Sequence, residues 1–313
     1  MTRLDIVEQG PRRRWRLLRV LAGAGLLALA AGALLSRGGD PAPAPAAEPS
    51  AQSEPTRTGR PTPRVSVGDS NPVTINALFP EERGSGDTRR IDLTFPDGSR
   101  ATLTYPADLR LAELGVRPQI GGTLMTDGEL QPRLLVAPMR GEAEVARNGP
   151  MIRRLEDNVT LWPQPPGSPG AGEVLLFEFG RWRLALTDRR AGLTFEQRQA
   201  WARNLRGRVT KDGFLVLSAR PPLVLSRPGA VYAERPYGPQ LWIGGDGGPL
   251  IVLTPTPDCA ERAVVPPTVR DRPGDSAARC RGDVHVAVAG ERDFVRRVIE
   301  EVRVRYTPRG RGG

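Results

Sequence analysis

Residues 91–105 read IDLTFPDGSRATLTY, and this stretch decides the fold class. Polar and apolar residues alternate on both sides of its centre, which is the pattern of a strand with one buried face. Pro96-Asp97-Gly98-Ser99 supplies turn residues between the two runs. The stretch therefore predicts a β-hairpin.

The same arrangement of strand, turn and strand recurs along the chain. Residues 124–126 and 134–137 flank Asp127-Gly128. Residues 174–179 and 182–186 flank Gly180-Arg181, whose leading glycine fits a type II′ turn. Further short strands are predicted at 214–218, 223–225, 241–243 and 250–253. A loop rich in proline and glycine at 163–172 marks a possible seam between two lobes.

Two helices are predicted between these strands. Asp108 is placed to cap a short helix that ends at Gly115. Thr194 and Gln197 match a capping box, and Gly207 is placed to end the helix that this box begins. The tryptophan of that helix, Trp201, is expected in the core.

The C-terminal part of the chain predicts strand, helix and strand in succession. Residues 284–289 read as a strand in which His285 is half exposed, apolar residues recur at helical spacing over 294–302, and 303–306 form the last strand. Many hairpins with a few short helices predict an α+β, strand-rich domain.

The N-terminal 35 residues predict where this domain resides. Residues 1–16 form a basic tail, and 17–35 are apolar apart from Arg19. A helix of that length spans about 28 Å, close to the thickness of the hydrocarbon core of a bilayer. The positive-inside rule predicts a single-pass anchor with the N-terminus in the cytoplasm and the body outside. A cleaved signal peptide, which would release a secreted protein, is the alternative.

The rest of the chain divides by composition. Residues 36–64 are rich in proline and alanine and predict a disordered linker. Residues 65–306 form the exported α+β domain, and 307–313 a disordered basic tail. Within the anchor, Ala24, Ala28 and Gly32 recur every four residues, a spacing that would let two helices form a homodimer.

The net charge of +10 does not indicate a nucleic-acid partner. Most of the excess lies in the two ends of the chain, and residues 65–306 hold 33 basic against 30 acidic residues. The chain has a single lysine, Lys211, and its many arginines accompany abundant alanine, glycine and proline. This pattern favours the codon bias of a GC-rich genome over selection for phosphate binding.

No catalytic, cofactor-binding or metal-ligating set stands out in the sequence. The single histidine, His285, has no nucleophile motif near it. Gly244-Gly245-Asp246-Gly247-Gly248 lacks the Lys-Ser/Thr of a phosphate-binding loop and is better explained as a hairpin turn. Three neighbouring carboxylate pairs could serve a glycosidase, although such pairs are common by chance. They are Glu142 with Glu144, Glu156 with Asp157, and Glu300 with Glu301.

The two cysteines, Cys259 and Cys280, predict a disulfide. Both lie in the part of the chain predicted to be exported, where disulfides persist, and the chain has no other cysteine. The polar residues between them, interrupted by proline, predict a long loop. Cys259, Cys280 and His285 together lack the close spacing and the fourth ligand of a zinc site.

Two functions remain open at this point. The first is a noncatalytic module at the cell envelope that binds a protein or wall polymer. The second is an exported hydrolase that uses carboxylates to cleave an envelope polymer. The absence of a clustered catalytic set in the sequence favours the first.

Overall fold

The hairpin predicted at residues 91–105 is confirmed in a computed structural model of the chain. Its strands are β1 (Thr88–Thr94) and β2 (Arg100–Pro106), which pair antiparallel with Thr94 opposite Arg100. Gly98 in the turn has a φ of 89°, where a side chain would be strained.

The structure describes residues 75–126, 128–164, 172–187, 192–259 and 264–310. The chain divides into Met1–Ser66 and Val67–Gly313, and every described residue belongs to the second unit. The predicted anchor at 17–35, its Ala24, Ala28 and Gly32 stripe, and the linker at 36–64 lie outside the described residues. Within the described part, no helix has the length and apolar character needed to cross a membrane.

The described residues are rich in strands and hold a few short helices, as predicted. After β1 and β2, the strands are β3 (Val116–Thr126), β4 (Glu129–Val136), β5 (Arg153–Glu156), β6 (Val159–Pro163), β7 (Glu173–Phe179), β8 (Trp182–Thr187), β9 (Leu205–Val209), β10 (Leu215–Ala219), β11 (Leu223–Leu225), β12 (Val231–Tyr232), β13 (Arg235–Pro236), β14 (Gln240–Gly244), β15 (Leu250–Pro255), β16 (Asp275–Arg281), β17 (Val284–Gly290) and β18 (Arg303–Thr307). The α-helices are α1 (Glu142–Ala146), α2 (Phe195–Asn204), α3 (Pro267–Arg270) and α4 (Arg292–Glu301).

One large antiparallel sheet dominates the described part of the chain. Its strands follow the order β16-β17-β15-β14-β3-β4-β8-β7-β6-β5, and β11 pairs with the end of β3. β18 joins β1 and β2 in a second sheet, so the C-terminal strand packs beside the first hairpin. Pro163 of β6 pairs with Glu173 of β7, which means that both flanks of the possible seam at 163–172 belong to the large sheet.

The other predicted hairpins are confirmed. β3 pairs with β4, β7 with β8, and β14 with β15. Gly180 has a φ of 59° between β7 and β8, while Gly244, Gly245 and Gly247 have positive φ between β14 and β15. The glycine run at 244–248 is therefore a hairpin connection, which explains its glycines without a phosphate.

α2 confirms the predicted capping box but ends earlier than predicted. Thr194 Oγ1 accepts a hydrogen bond from the backbone N–H of Gln197, and the Gln197 side chain accepts one from Thr194 N–H. Trp201 is fully buried, as expected. The prediction that Gly207 ends this helix is wrong, because Gly207 lies in β9. A Cβ there would lie 2.4 Å from the ring of Phe179, so the glycine makes room for that ring.

The predicted helix capped by Asp108 is replaced by two short 3-10 turns, Ala107–Leu109 and Leu111–Leu114. Asp108 caps neither turn, and its carboxylate pairs instead with Arg297 of α4, with Oδ1 2.9 Å from Nη2. Arg110 between the turns has a φ of 46°, which breaks the helical path. The prediction that Gly115 ends this segment is confirmed, with a φ of 75°.

The predicted basic tail begins inside the fold. Thr307 still pairs with Arg100 as the end of β18. The side chain of Arg309 then donates a hydrogen bond to the carbonyl oxygen of Asp97 at 3.0 Å. The described part of this tail therefore contacts the turn of the first hairpin.

Candidate functional site

The predicted disulfide is present between Cys259 and Cys280, with the two Cα atoms 5.8 Å apart. The long loop predicted between them is wrong in part, because this segment contains α3 and the edge strand β16. Residues 275–281 pair along the whole of β17. Because disulfides persist in oxidising compartments, the bond indicates an extracytoplasmic location.

The segment closed by this disulfide covers one face of β15 and β17. Val269 of α3 is fully buried against Val252 of β15 and Ala287 of β17. The other face of these strands packs into the main core with α4. Both faces of β17 are therefore buried, and the prediction that His285 is half exposed is wrong, since 9% of it is accessible.

A pocket lies at each end of β15, and the covering segment contributes to both. The disulfide pocket, at the C-terminal end of β15, has a volume of about 290 Å³. It contains Cys259, Cys280, His285, Thr254 and Pro267 in its lining. Burial lowers the pKa of His285, and a hydrogen bond to the backbone of Val264 opposes that shift. A neutral imidazole in mainly apolar surroundings follows.

The arginine pocket, at the N-terminal end of β15, has different chemistry and a volume of about 350 Å³. Four arginines line it together with two acids and one tryptophan, which gives these charged residues a formal sum of +2. They are Arg117, Arg140, Arg147, Arg272, Glu144, Asp246 and Trp242. These residues come from β3, α1 and its two flanks, β14, the glycine run and the covering segment, so the fold brings them together from distant positions.

Arg117 forms the floor of the arginine pocket and is 8% exposed. Its Nη1 donates to the carbonyl oxygen of Ala137 at 2.9 Å and its Nη2 to that of Gly244 at 3.0 Å. The guanidinium lies 5.8 Å from the ring centre of Trp242. Burial lowers the pKa of Arg117, and the charges of Glu144 and Asp246 partly oppose this shift.

No described carboxylate forms an ion pair with Arg117, and its Nε has no hydrogen-bond partner in this part of the chain. An arginine keeps its proton at any ordinary pH, so the buried group is charged. Burying a charge without a counter-charge is costly. Arg117 is therefore a buried charge of the pocket with no direct ion-pair partner among the described residues.

The glycine run shapes the rim of the pocket. Gly245 has a φ of 109°, and a Cβ at this position would lie 3.2 Å from Nη2 of Arg117. Arg272 donates from Nη2 to the carbonyl oxygen of Gly245 at 2.6 Å and to that of Gly248 at 3.3 Å. The absence of side chains lets two guanidinium groups approach the same loop backbone.

The two acids of the pocket face Arg140. Asp246 Oδ2 lies 3.8 Å from Nη2 of Arg140, and Glu144 Oε2 accepts a hydrogen bond from its backbone N–H at 3.2 Å. Both acids of the pocket therefore contact Arg140.

One acid of each carboxylate pair noted in the sequence forms an ion pair with an arginine. Glu142 lies 4.0 Å from Arg183, Glu156 lies 2.9 Å from Arg203, and Glu300 lies 3.2 Å from Arg296. In the described part of the chain, no group of three or more histidines, cysteines and acids could hold a metal ion.

Sequence reasoning missed the arginine pocket. Its arginines are spread over more than 150 residues, and no spacing relates them. One signal was available, because Arg117 interrupts a strand whose neighbours Val116 and Ile120 are apolar. A buried charge within a mainly apolar strand indicates either a paired ion or a site.

No family model, curated protein or solved structure matches this chain.

Proposed function

We propose that this chain is an exported, noncatalytic binding module of the cell envelope, and that its arginine pocket binds an anionic group of an envelope protein or polymer. The buried, unpaired guanidinium of Arg117 carries the proposal. A bound anion would supply the direct ion pair that no described carboxylate makes with Arg117, and charge-assisted hydrogen bonds to arginine are among the stronger polar contacts.

The surroundings of Arg117 support binding over chemistry. Arg140, Arg147 and Arg272 add charge at the rim, where an incoming anion remains partly solvated. Such a rim attracts the ligand, and the buried charge holds it. Its lining holds neither histidine, serine nor cysteine, so the pocket lacks the residues of a Ser-His or Cys-His nucleophile.

The proposal also places the module outside the membrane on an anchor formed by residues 17–35. The disulfide supports the compartment, and the charge asymmetry across the apolar run supports the orientation. Alkaline phosphatase fused after Arg64 is expected to be active in the membrane fraction. An inactive fusion would overturn the orientation, and activity released to the medium would indicate a cleaved leader instead of an anchor.

Anion binding can be tested with citrate, a small polycarboxylate. The full chain, purified in detergent and labelled with 5-fluorotryptophan, gives a fluorine resonance for Trp242 that a Trp242→Phe variant assigns. Citrate is expected to shift this resonance saturably at constant ionic strength. Arg272→Gln should weaken binding about tenfold, the size of one lost charge-assisted hydrogen bond.

Arg270→Gln is the matched control for Arg272→Gln. Arg270 belongs to the same segment but lies outside the pocket lining, and it pairs with Asp271 at 3.1 Å. It should leave citrate binding unchanged. A shift that potassium chloride reproduces at equal ionic strength, or equal losses in the two variants, would overturn anion binding at this pocket.

A further inference from the structure

The arginine pocket continues into a second cavity along α1. This apolar cavity has a volume of about 460 Å³, and Pro138, Glu144 and Arg147 line both cavities. The two spaces therefore share a wall and meet at the C-terminal end of α1.

The second cavity has an apolar floor and a polar rim. Val145, Val174 and Ala185 are each at most 8% exposed and belong to one small core cluster. Asn148 and Thr187, which are half-buried and exposed, stand at the rim. A floor of three small side chains suits a short aliphatic group, and the rim can bond to backbone amides.

We propose that the ligand is the C-terminus of a polypeptide that ends in an aliphatic residue, with its carboxylate in the arginine pocket and its last side chain in the apolar cavity. This inference rests on the proposed function. A C-terminal residue carries its carboxylate and its side chain on the same Cα, so one residue reaches both sides of a shared wall.

A peptide fits these two cavities better than a sugar polymer does. Sugars pack on open aromatic faces, whereas the ring of Trp242 is half-buried with the guanidinium of Arg117 near it. The apolar floor would leave sugar hydroxyls without partners. A long acyl chain would extend beyond an apolar floor of three residues, and decanoate therefore serves as a competing probe.

The test titrates five ligands into the fluorotryptophan-labelled full chain, one of which is an amidated peptide with an internal glutamate. The reference is N-acetyl-Gly-Gly-Ala-Val with a free carboxylate, and its Trp242 shift is expected to saturate. The C-terminal amide should bind about tenfold more weakly because it lacks the charge. The peptide ending in glycine should bind about fivefold more weakly because it buries no side chain. Decanoate should bind more weakly than the reference.

Filling the apolar cavity provides the second arm. Asn148→Trp should abolish the preference for valine over glycine and keep citrate binding, which also shows that the variant is folded. Ala146→Trp is the matched control, since Ala146 is exposed on α1 and lies outside the lining of both cavities. It should keep both properties.

The outcomes separate this inference from the proposed function. If citrate binds but the valine and glycine peptides bind equally, or decanoate binds best, the peptide inference fails and the anion site stands. If an amidated peptide with an internal glutamate binds as well as the reference, the preference for a C-terminus is overturned. If neither citrate nor any peptide binds, the proposed function fails as well.

Discussion

The two pockets at the ends of β15 respond to burial in opposite ways. His285 in the disulfide pocket is 9% exposed and Arg117 in the arginine pocket is 8% exposed, so the two bases are buried alike. Burial lowers the pKa of both. The imidazole can avoid the cost by staying neutral, whereas a guanidinium cannot. The comparison teaches that burial of a base indicates a ligand only where the base must remain charged.

Removing the disulfide should have the largest effect, because it disturbs both pockets at once. The Cys259→Ser, Cys280→Ser variant opens the segment that contributes Pro267 to one pocket and Arg272 to the other. Closing a loop of 21 residues contributes about 3 kcal/mol, so urea denaturation should show a loss near that size. Citrate binding should weaken too. A variant with unchanged stability would show that the covering segment is held without the bond.

A second variant acts on the arginine pocket alone. Gly245→Ala forces a side chain into a backbone with a φ of 109° and places its Cβ 3.2 Å from Arg117 Nη2. It should cost about 1–2 kcal/mol in denaturant unfolding and weaken citrate binding. Gly248→Ala is the control, because a Cβ there meets no atom within 4 Å. Equal effects of the two substitutions would contradict the proposed role of the glycine run.

Removing an acid from the lining of the arginine pocket should strengthen its binding of anions. Asp246→Asn deletes a negative charge that lines the pocket and faces Arg140. Citrate affinity should rise about threefold at low salt, and the gain should shrink as salt is added. Asp271→Asn removes an exposed acid outside the lining and should change little. A fall in affinity on Asp246→Asn would mean that this acid organises the site.

Unlike Arg117 in the arginine pocket, His285 in the disulfide pocket should make the stability of the protein depend on pH. Because burial depresses the pKa of His285 in the folded state, the neutral form favours folding. This contribution is fully present above the unfolded pKa near 6.5 and is lost as pH falls below it. Unfolding free energies measured downward from pH 7 should fall less steeply in His285→Gln. Arg117→Met should keep the slope of the wild type, since arginine does not titrate there.

Local patterns predicted much of this fold. Turn residues located the hairpins of β1 with β2 and of β7 with β8, and one capping box located α2. These features depend on neighbours in sequence. Predictions failed where a residue distant in sequence determines the local structure. Gly207 lies in a strand, where its lack of a side chain leaves room for the ring of Phe179, and Asp108 pairs with Arg297 of α4 instead of capping a helix.

The candidate site was harder to predict for the same reason. The disulfide needed only a count of cysteines and a compartment, and it is confirmed. His285 is buried in β17, one face of which α3 covers, and α3 lies in a segment that the sequence predicted as loop. The arginine pocket depends on residues from distant elements, and their charge was hidden among many surface arginines.

The claim that Arg117 awaits a counter-charge can be tested most directly by thermal unfolding of the full chain with and without citrate at constant ionic strength. A ligand that binds the folded state raises the midpoint temperature. Citrate is expected to raise it in the wild type and to leave Arg117→Met unchanged. An equal rise in both proteins, or no rise in the wild type, would contradict the account.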